Sequence, residues 1–147
     1  LYDRYIPGWS NDPSMLRHAI DIPQPDIWTA HRTAKAQLLD YIQQHTDNSL
    51  SPDTLTIGFA RRATQYKRAD LVFSNLDRLL DVAQEVGSLQ FVFAGKAHPK
   101  DKAGKELIQH IFDVSRQLRD RIPVVFLENY DMDLAKFLVS VFDLWLN

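Results

Sequence analysis

From Thr54 to Leu146 the chain alternates between two hydrophobic periods, and this alternation restricts the fold more than any other feature. Leu55, Ile57 and Phe59 alternate with Thr54, Thr56 and Gly58, the period of two that marks a strand. The stretch from Tyr66 to Val86 then places Leu71, Val72, Leu76, Leu79, Leu80 and Ala83 on one helical face, with Gly87 as its C-cap. Gln90–Gly95 (QFVFAG) is a continuous apolar run, as expected of a strand buried on both faces. A long helix is expected over Asp101–Asp120, a strand over Ile122–Leu127 and a short helix over Asp131–Val139 with Asp131 as its cap. A fourth strand is expected over Asp143–Leu146. Strands and helices joined in this order by short connections predict an α/β fold, a Rossmann-like parallel sheet flanked by helices with right-handed crossovers.

Residues 1–50 read as a helical lead-in segment that packs on this domain, and residues 51–147 as the domain itself. Ser10–Asn11–Asp12–Pro13 is a helix start with proline at the first helical position, predicting a short helix to Ile20. Over Gln24–His45, the residues Ile27, Ala30, Ala34, Leu38 and Tyr41 recur at spacings of three and four and form one apolar stripe. Tyr2, Tyr5, Ile6 and Trp9 are expected to serve burial rather than ligand stacking. His31 and Lys35 lie one turn apart and are expected on a solvated or interdomain face.

The 147 residues suit one domain, and 45% hydrophobic with 24% charged residues suffices for a core and excludes disorder. A net charge of −2 argues against a general nucleic-acid binder. With no cysteine, disulfides, thiolate metal sites and a cysteine nucleophile are excluded, which fits a cytoplasmic protein. No apolar run approaches a membrane span and no stretch reads as a signal peptide, so no membrane partner is expected. The five histidines show no metal-ligand spacing, and no metal site is expected. The chain starts at Leu1 in an aromatic-rich segment and stops at Asn147 straight after the apolar run Leu144–Leu146, which reads as a piece of a larger protein.

In such a sheet three strand ends share one edge, carrying Arg61–Lys67, Gly95–Lys100 and Glu128–Asp131, and ligands of open α/β sheets bind there. The basic group Arg61, Arg62, Lys67 and Arg68 falls at the first strand-to-helix turn, where a helix N-terminus at Tyr66 would add free N–H groups. An arginine fork and a lysine point charge suit phosphate, so Arg62 and Lys67 are candidates for an anion site. The alternative is a solvated basic turn. Gly95–Lys96–Ala97–His98–Pro99 is not a phosphate loop of the G-x-x-x-x-G-K-[ST] type, and Gly95 is expected to permit a close backbone approach. Glu128–Asn129–Tyr130–Asp131 either offers polar groups to a ligand or caps the following helix.

FARRATQYKRADLVFSNLDRLL, QFVFAGKAHPKD, IPVVFLENYDMDLAK and DLWLN, in that order, resemble the α-glucan (glycogen, starch or maltodextrin) phosphorylases, most closely their shorter bacterial and archaeal branch. LYDRYIPGW and the helix with His31 and Lys35 are similar too, so the resemblance covers nearly the whole chain. It implies part of the C-terminal domain of a two-domain GT-B glycosyltransferase. It also implies transfer of the terminal α-1,4-linked glucose of a glucan to inorganic phosphate, giving glucose 1-phosphate, with pyridoxal phosphate as cofactor. Carried over by position, Arg62 and Lys67 bind the substrate phosphate and Tyr66 lies at the glucose site. Arg61, where longer enzymes carry lysine, and Tyr130 of the E-N-Y motif lie beside the cofactor. Asp131 stands where longer enzymes carry arginine and Thr64 where they carry histidine, and no role passes to either.

The family's cofactor-bearing lysine belongs to a glycine-rich stretch beyond D-L-W-L-N, so the resemblance implies that these 147 residues alone are inactive. A homo-oligomeric parent protein is compatible with it. Two other readings compete: a glycogen synthase-like enzyme using a sugar nucleotide, which also places Arg and Lys five residues apart, and a non-enzymatic phosphate- or glucan-binding module. The E-N-Y and G-K-A-H-P segments favour the phosphorylase over the synthase.

Overall fold

A computed structural model describes residues 1–146. The helices are α1 (Tyr2–Tyr5), α2 (Gln24–His45), α3 (Leu76–Val86), α4 (Lys102–Leu118) and α5 (Met132–Val139). The strands are β1 (Leu55–Ala60), β2 (Leu89–Ala94), β3 (Val124–Leu127) and β4 (Leu144–Trp145). They form one parallel sheet in the order β3-β2-β1-β4, the doubly wound arrangement that strand–helix alternation predicts.

Alternation within each strand decides which core a side chain enters. Ile57, Phe59, Phe91, Phe93 and Val124 face α3 and α4, against Phe73, Leu79, Leu107, Ile111 and Leu118. Ala60, Val92, Ala94, Val125 and Leu127 face the other way, against Leu38 and Ile42 of α2 and Leu134 and Leu138 of α5. Phe59, Phe73, Phe91 and Phe93 meet one another with ring centroids 5.5–6.3 Å apart. Each such buried ring contributes roughly 1.5–3 kcal/mol through the area it removes from water.

The strand and helix positions expected from the sequence are present, and the long helix α2 and the caps Asp131 and Gly87 are as read. Two features differ in kind. The turn after Asp12 is a 3₁₀ helix, Pro13–Asp21, with the Asp12 carboxylate accepting from Ser14 N–H at 2.9 Å. The helix expected over Tyr66–Val86 begins only at Leu76. Ahead of it lie two single 3₁₀ turns, Gln65–Lys67 and Leu71–Phe73. Arg68 takes left-handed backbone angles, φ 49 and ψ 43, which interrupt an α ladder. Asn75, extended, accepts from Arg78 N–H at 2.9 Å, so a short polar side chain competes with the helical ladder and sets the helix start there. No helix N-terminus therefore stands at the basic group.

Within the lead-in, the segment before α2 is tied to that helix. Ile6 and Ile22 are buried, the Tyr5 hydroxyl donates to Asp26 at 2.6 Å, and Tyr2 meets Trp9 edge-on. No helix among the described residues is long and apolar enough to cross a membrane.

Of the two alternatives for the His31–Lys35 face of α2, solvated or interdomain, the solvated one does not hold. Lys35 is 4% exposed. Its ammonium donates to Asp143 at 2.6 Å and to the Thr54 carbonyl at 2.8 Å. His31 Nε2 lies 2.7 Å from the other Asp143 oxygen, and the Thr56 N–H donates to Asp143 at 2.6 Å. A buried cation must be paired, and the carboxylate at the start of β4 supplies the pair. Burial alone would push the Asp143 carboxyl up, but hydrogen bonds from Lys35, Thr56 and His31 hold it below its ordinary value of 3.8. Its stabilising contribution is therefore complete above that value and lost as pH falls below it. Melting temperature followed from about pH 6 to pH 3 should fall more steeply for the natural protein than for Asp143→Asn, and parallel curves would refute this assignment.

Candidate functional site

The carboxyl ends of β1, β2 and β3 share one edge, and backbone contacts bind their loops together. Beyond β1 the chain stays beside β2: Arg61 N–H donates to the Ala94 carbonyl and Ala63 N–H to the Lys96 carbonyl, both at 3.1 Å. Gly95 sits so close that a Cβ there would fall 2.2 Å from the Arg61 carbonyl oxygen. Gly104, in the first turn of α4, faces the Ala63 carbonyl in the same manner, at 2.4 Å. Residues 61–63 are thus held between the second βα loop and the start of α4. Asp101 caps α4 by accepting from Gly104 N–H at 2.9 Å, and His98 Nδ1 accepts from Lys100 N–H at 3.2 Å to tighten the loop.

After this fixed stretch the chain turns. Lys67 N–H donates to the Thr64 carbonyl at 3.0 Å and Arg68 N–H to the Gln65 carbonyl at 3.1 Å. The turn points the Tyr66 ring outward, 74% exposed, with the Lys67 ammonium 4.7 Å from its centroid. A cleft of about 610 Å³ opens here, lined by Arg61, Tyr66, Lys67 and Arg68 and floored by Phe59 and Leu146. Arg62 is exposed and does not line it. Neither Arg62 nor Lys67 forms an ion pair among the described residues, so no carboxylate neutralises either charge.

The E-N-Y-D segment divides its side chains. The Tyr130 hydroxyl reaches past β2 and donates to the Ala60 carbonyl at 3.1 Å, next to Arg61. Glu128 and Asn129 instead line a separate cavity of about 410 Å³ with Tyr41 and His45 of α2. Asp131 caps α5, accepting from Leu134 N–H at 2.9 Å. Of the residues singled out by sequence, the fold therefore brings Arg61, Tyr66 and Lys67 to one cleft, while Tyr130 packs with the core on the other face of the sheet and does not line it. Arg62 stays at the exposed rim.

Sequence reasoning missed two polar groupings. One is Asp143 with His31 and Lys35. Its available signal was a histidine and a lysine at i, i+4 on a helix together with a carboxylate opening the last strand. The other is Gln90, fully buried in β2, whose amide donates to the Thr56 hydroxyl at 2.7 Å and accepts from Ser51 N–H at 3.0 Å. A lone glutamine heading an apolar strand is a signal that it must find partners.

Comparisons with known proteins agree on one family. A carbohydrate phosphorylase family model matches residues 8–145. The glycogen phosphorylase of Aquifex aeolicus is 37% identical over 145 residues, covering 86% of this chain and 21% of that protein. The maltodextrin phosphorylase of Thermococcus litoralis is 33% identical over 164 aligned positions, covering 100% of this chain and 20% of that protein. A glycogen phosphorylase of Mycobacterium tuberculosis is 41% identical over 100 residues, covering 67% of this chain. The chain spans about a fifth of the length of the first two.

The close contact at Gly95 gives the first test of this edge. Gly95→Ala should cost about 1–3 kcal/mol, because the added methyl meets rigid backbone rather than a movable side chain. Urea unfolding measures it, and a loss under about 0.5 kcal/mol would show that the two loops are not held as described.

Proposed function

The chain belongs to the carbohydrate phosphorylase family, and from that premise we propose that it is part of the catalytic C-terminal domain of an α-glucan phosphorylase. The whole protein transfers the terminal α-1,4-linked glucose of a glucan to inorganic phosphate and releases glucose 1-phosphate. One observation supports this reading above others. The stretch from Arg61 to Lys67 leaves the sheet at its carboxyl edge and folds into a turn that sets a guanidinium, a tyrosine ring and an ammonium around one cleft. Residues 51–147 are an incomplete Rossmann-like domain of a two-domain GT-B enzyme, with residues 1–50 as its lead-in. The lack of cysteine fits a reducing cytoplasmic setting.

Arg62 and Lys67 hold the substrate phosphate. Both are without an ionic partner among the described residues, as groups waiting on an anion should be. Arg62 offers a planar fork from the rim and Lys67 a point charge from the wall. Tyr66, exposed beside Lys67, presents its ring and hydroxyl to the glucosyl unit.

The chain's donors also fit pyridoxal phosphate. Arg61 provides a cation at the β1 end, and the Tyr130 hydroxyl donates to the carbonyl of Ala60, the residue before it in the chain. When bound, this cofactor supplies a phosphate that serves as acid–base catalyst. Two phosphates in one cleft repel each other, so fixed positive charge from Arg61, Arg62 and Lys67 stabilises the approach and the charge that develops. The backbone bonds that pin residues 61–63 fix the main chain from which Arg61 and Arg62 extend, and positioning of the phosphate provides much of the rate.

The test is made on the full-length protein. Lys67→Ala and Arg62→Ala should each weaken binding of inorganic phosphate by about 10–100-fold, the loss of one charge-assisted contact of about 1.5–3 kcal/mol. Titration calorimetry with phosphate measures the binding, and release of glucose 1-phosphate from glucan measures the activity. Unchanged phosphate affinity in both variants would leave a solvated basic turn, and turnover only with a sugar nucleotide would identify a synthase instead.

A further inference from the structure

β4 has little backbone pairing to hold its register. Only Leu144 and Trp145 pair with β1, opposite Ile57 and Gly58. Two further backbone bonds flank them: Asp143 N–H to the Thr56 carbonyl at 3.1 Å and Leu146 N–H to the Gly58 carbonyl at 2.8 Å. A slip of one residue would turn every β4 side chain to the opposite face. The Asp143 carboxylate adds a bond across the same two strands, accepting from Thr56 N–H at 2.6 Å. Lys35 and His31 of α2 hold that carboxylate in place from the helix side. The neighbouring Phe142 ring lies against Gly58, where any Cβ would fall 1.9 Å from it, so β4 fits β1 closely only in this register.

At its far end β4 leads to Leu146, which lines the cleft with Phe59, Arg61, Tyr66 and Lys67. The two ends of this short strand therefore couple opposite edges of the sheet. We propose that Asp143 is a positioning residue for the candidate phosphate site: its side-chain bond to the Thr56 N–H fixes the register of β4 and holds Leu146 in the cleft wall beside Arg61 and Lys67. The effect on phosphate rests on the function proposed above, whereas the effect on Leu146 does not.

The two effects are separable by hydrogen exchange of the 141–146 segment and phosphate titration in the full-length protein. In Asp143→Ala the Leu146 amide should exchange about tenfold faster, equivalent to about 1.4 kcal/mol of opening free energy, while residues 89–94 stay protected. Its dissociation constant for inorganic phosphate should rise. In Lys35→Met, His31 still holds the Asp143 carboxylate on the Thr56 N–H, so the variant should lower the melting temperature yet leave Leu146 exchange and phosphate affinity within about twofold. Asp143→Asn, which keeps an acceptor for the Thr56 N–H, should keep Leu146 protected.

Unchanged Leu146 exchange in folded Asp143→Ala would overturn the proposal. So would equal loosening in Lys35→Met, which would mark general destabilisation. Should alanine fail to fold, Asp143→Ser, too short to reach Thr56, takes its place. If Leu146 loosens but phosphate affinity holds, while Lys67→Ala weakens it, the link to the site is overturned. If Lys67→Ala also leaves phosphate affinity unchanged, the phosphate reading fails, and the exchange result alone decides the positioning of Leu146.

Discussion

A strand buried on both faces and paired on both sides has no access to water, so every polar group it carries must be satisfied by protein. From Thr56 to Ala60, β1 is in that position, between β2 and β4 and covered by helices on each face. The requirement explains features that would otherwise look unrelated. Thr56, fully buried, gives its hydroxyl to Gln90 as an acceptor and its N–H to Asp143. Gln90 in turn ties Ser51 to the start of the strand. Each orphaned group would cost about 1–3 kcal/mol, so these bonds are a condition of burying β1 at all.

The same central strand dictates what happens at its carboxyl end. Because β1 and β2 run in register to Ala60 and Ala94, their loops emerge side by side with no room between them. Glycine at position 95 and again at 104 is the residue that lets the backbones close up. The tight packing ends at Ala63, and the chain then leaves in isolated turns, with Arg68 in the left-handed region. A rigid root with an exposed tip is the arrangement in which loop residues bind while the sheet holds them.

Much of this was legible in the sequence, because the strand period, the apolar run of β2 and the caps Asp131 and Gly87 are local signals. The start of α3 was not. Leu71, Val72 and Leu76 keep helical spacing, and nothing in that periodicity reveals that Arg68 breaks the ladder or that Asn75 restarts it. The candidate cleft was legible only in part: Arg61, Tyr66 and Lys67 of the first loop do meet there, but neither the loop at 95–100 nor the one at 128–131 lines it. The separation of Tyr130 from Glu128 and Asn129 was not, since it depends on Asn129 taking φ 57 and on which neighbour each side chain finds in space. The partnership of Lys35 with Asp143 was equally hidden, for the two stand 108 positions apart.

The two ends of the sheet treat positive charge in opposite ways, and the contrast bears on function. At the amino edge Lys35 is removed from water, and its charge is tolerated only because Asp143, His31 and the Thr54 carbonyl surround it. That arrangement satisfies the buried charge from within the fold. At the carboxyl edge Arg62 and Lys67 keep contact with water and have no carboxylate beside them among the described residues. Exposed cations cost the fold little, and a paired partner there would add at most about 1 kcal/mol. On the function proposed above, a phosphate that displaced water from the cleft would meet Lys67 in a lower dielectric, where its charge counts for more. Stability gains little from neutralising this edge, so leaving it bare costs the fold little and keeps both charges available to the anion that the proposed function requires.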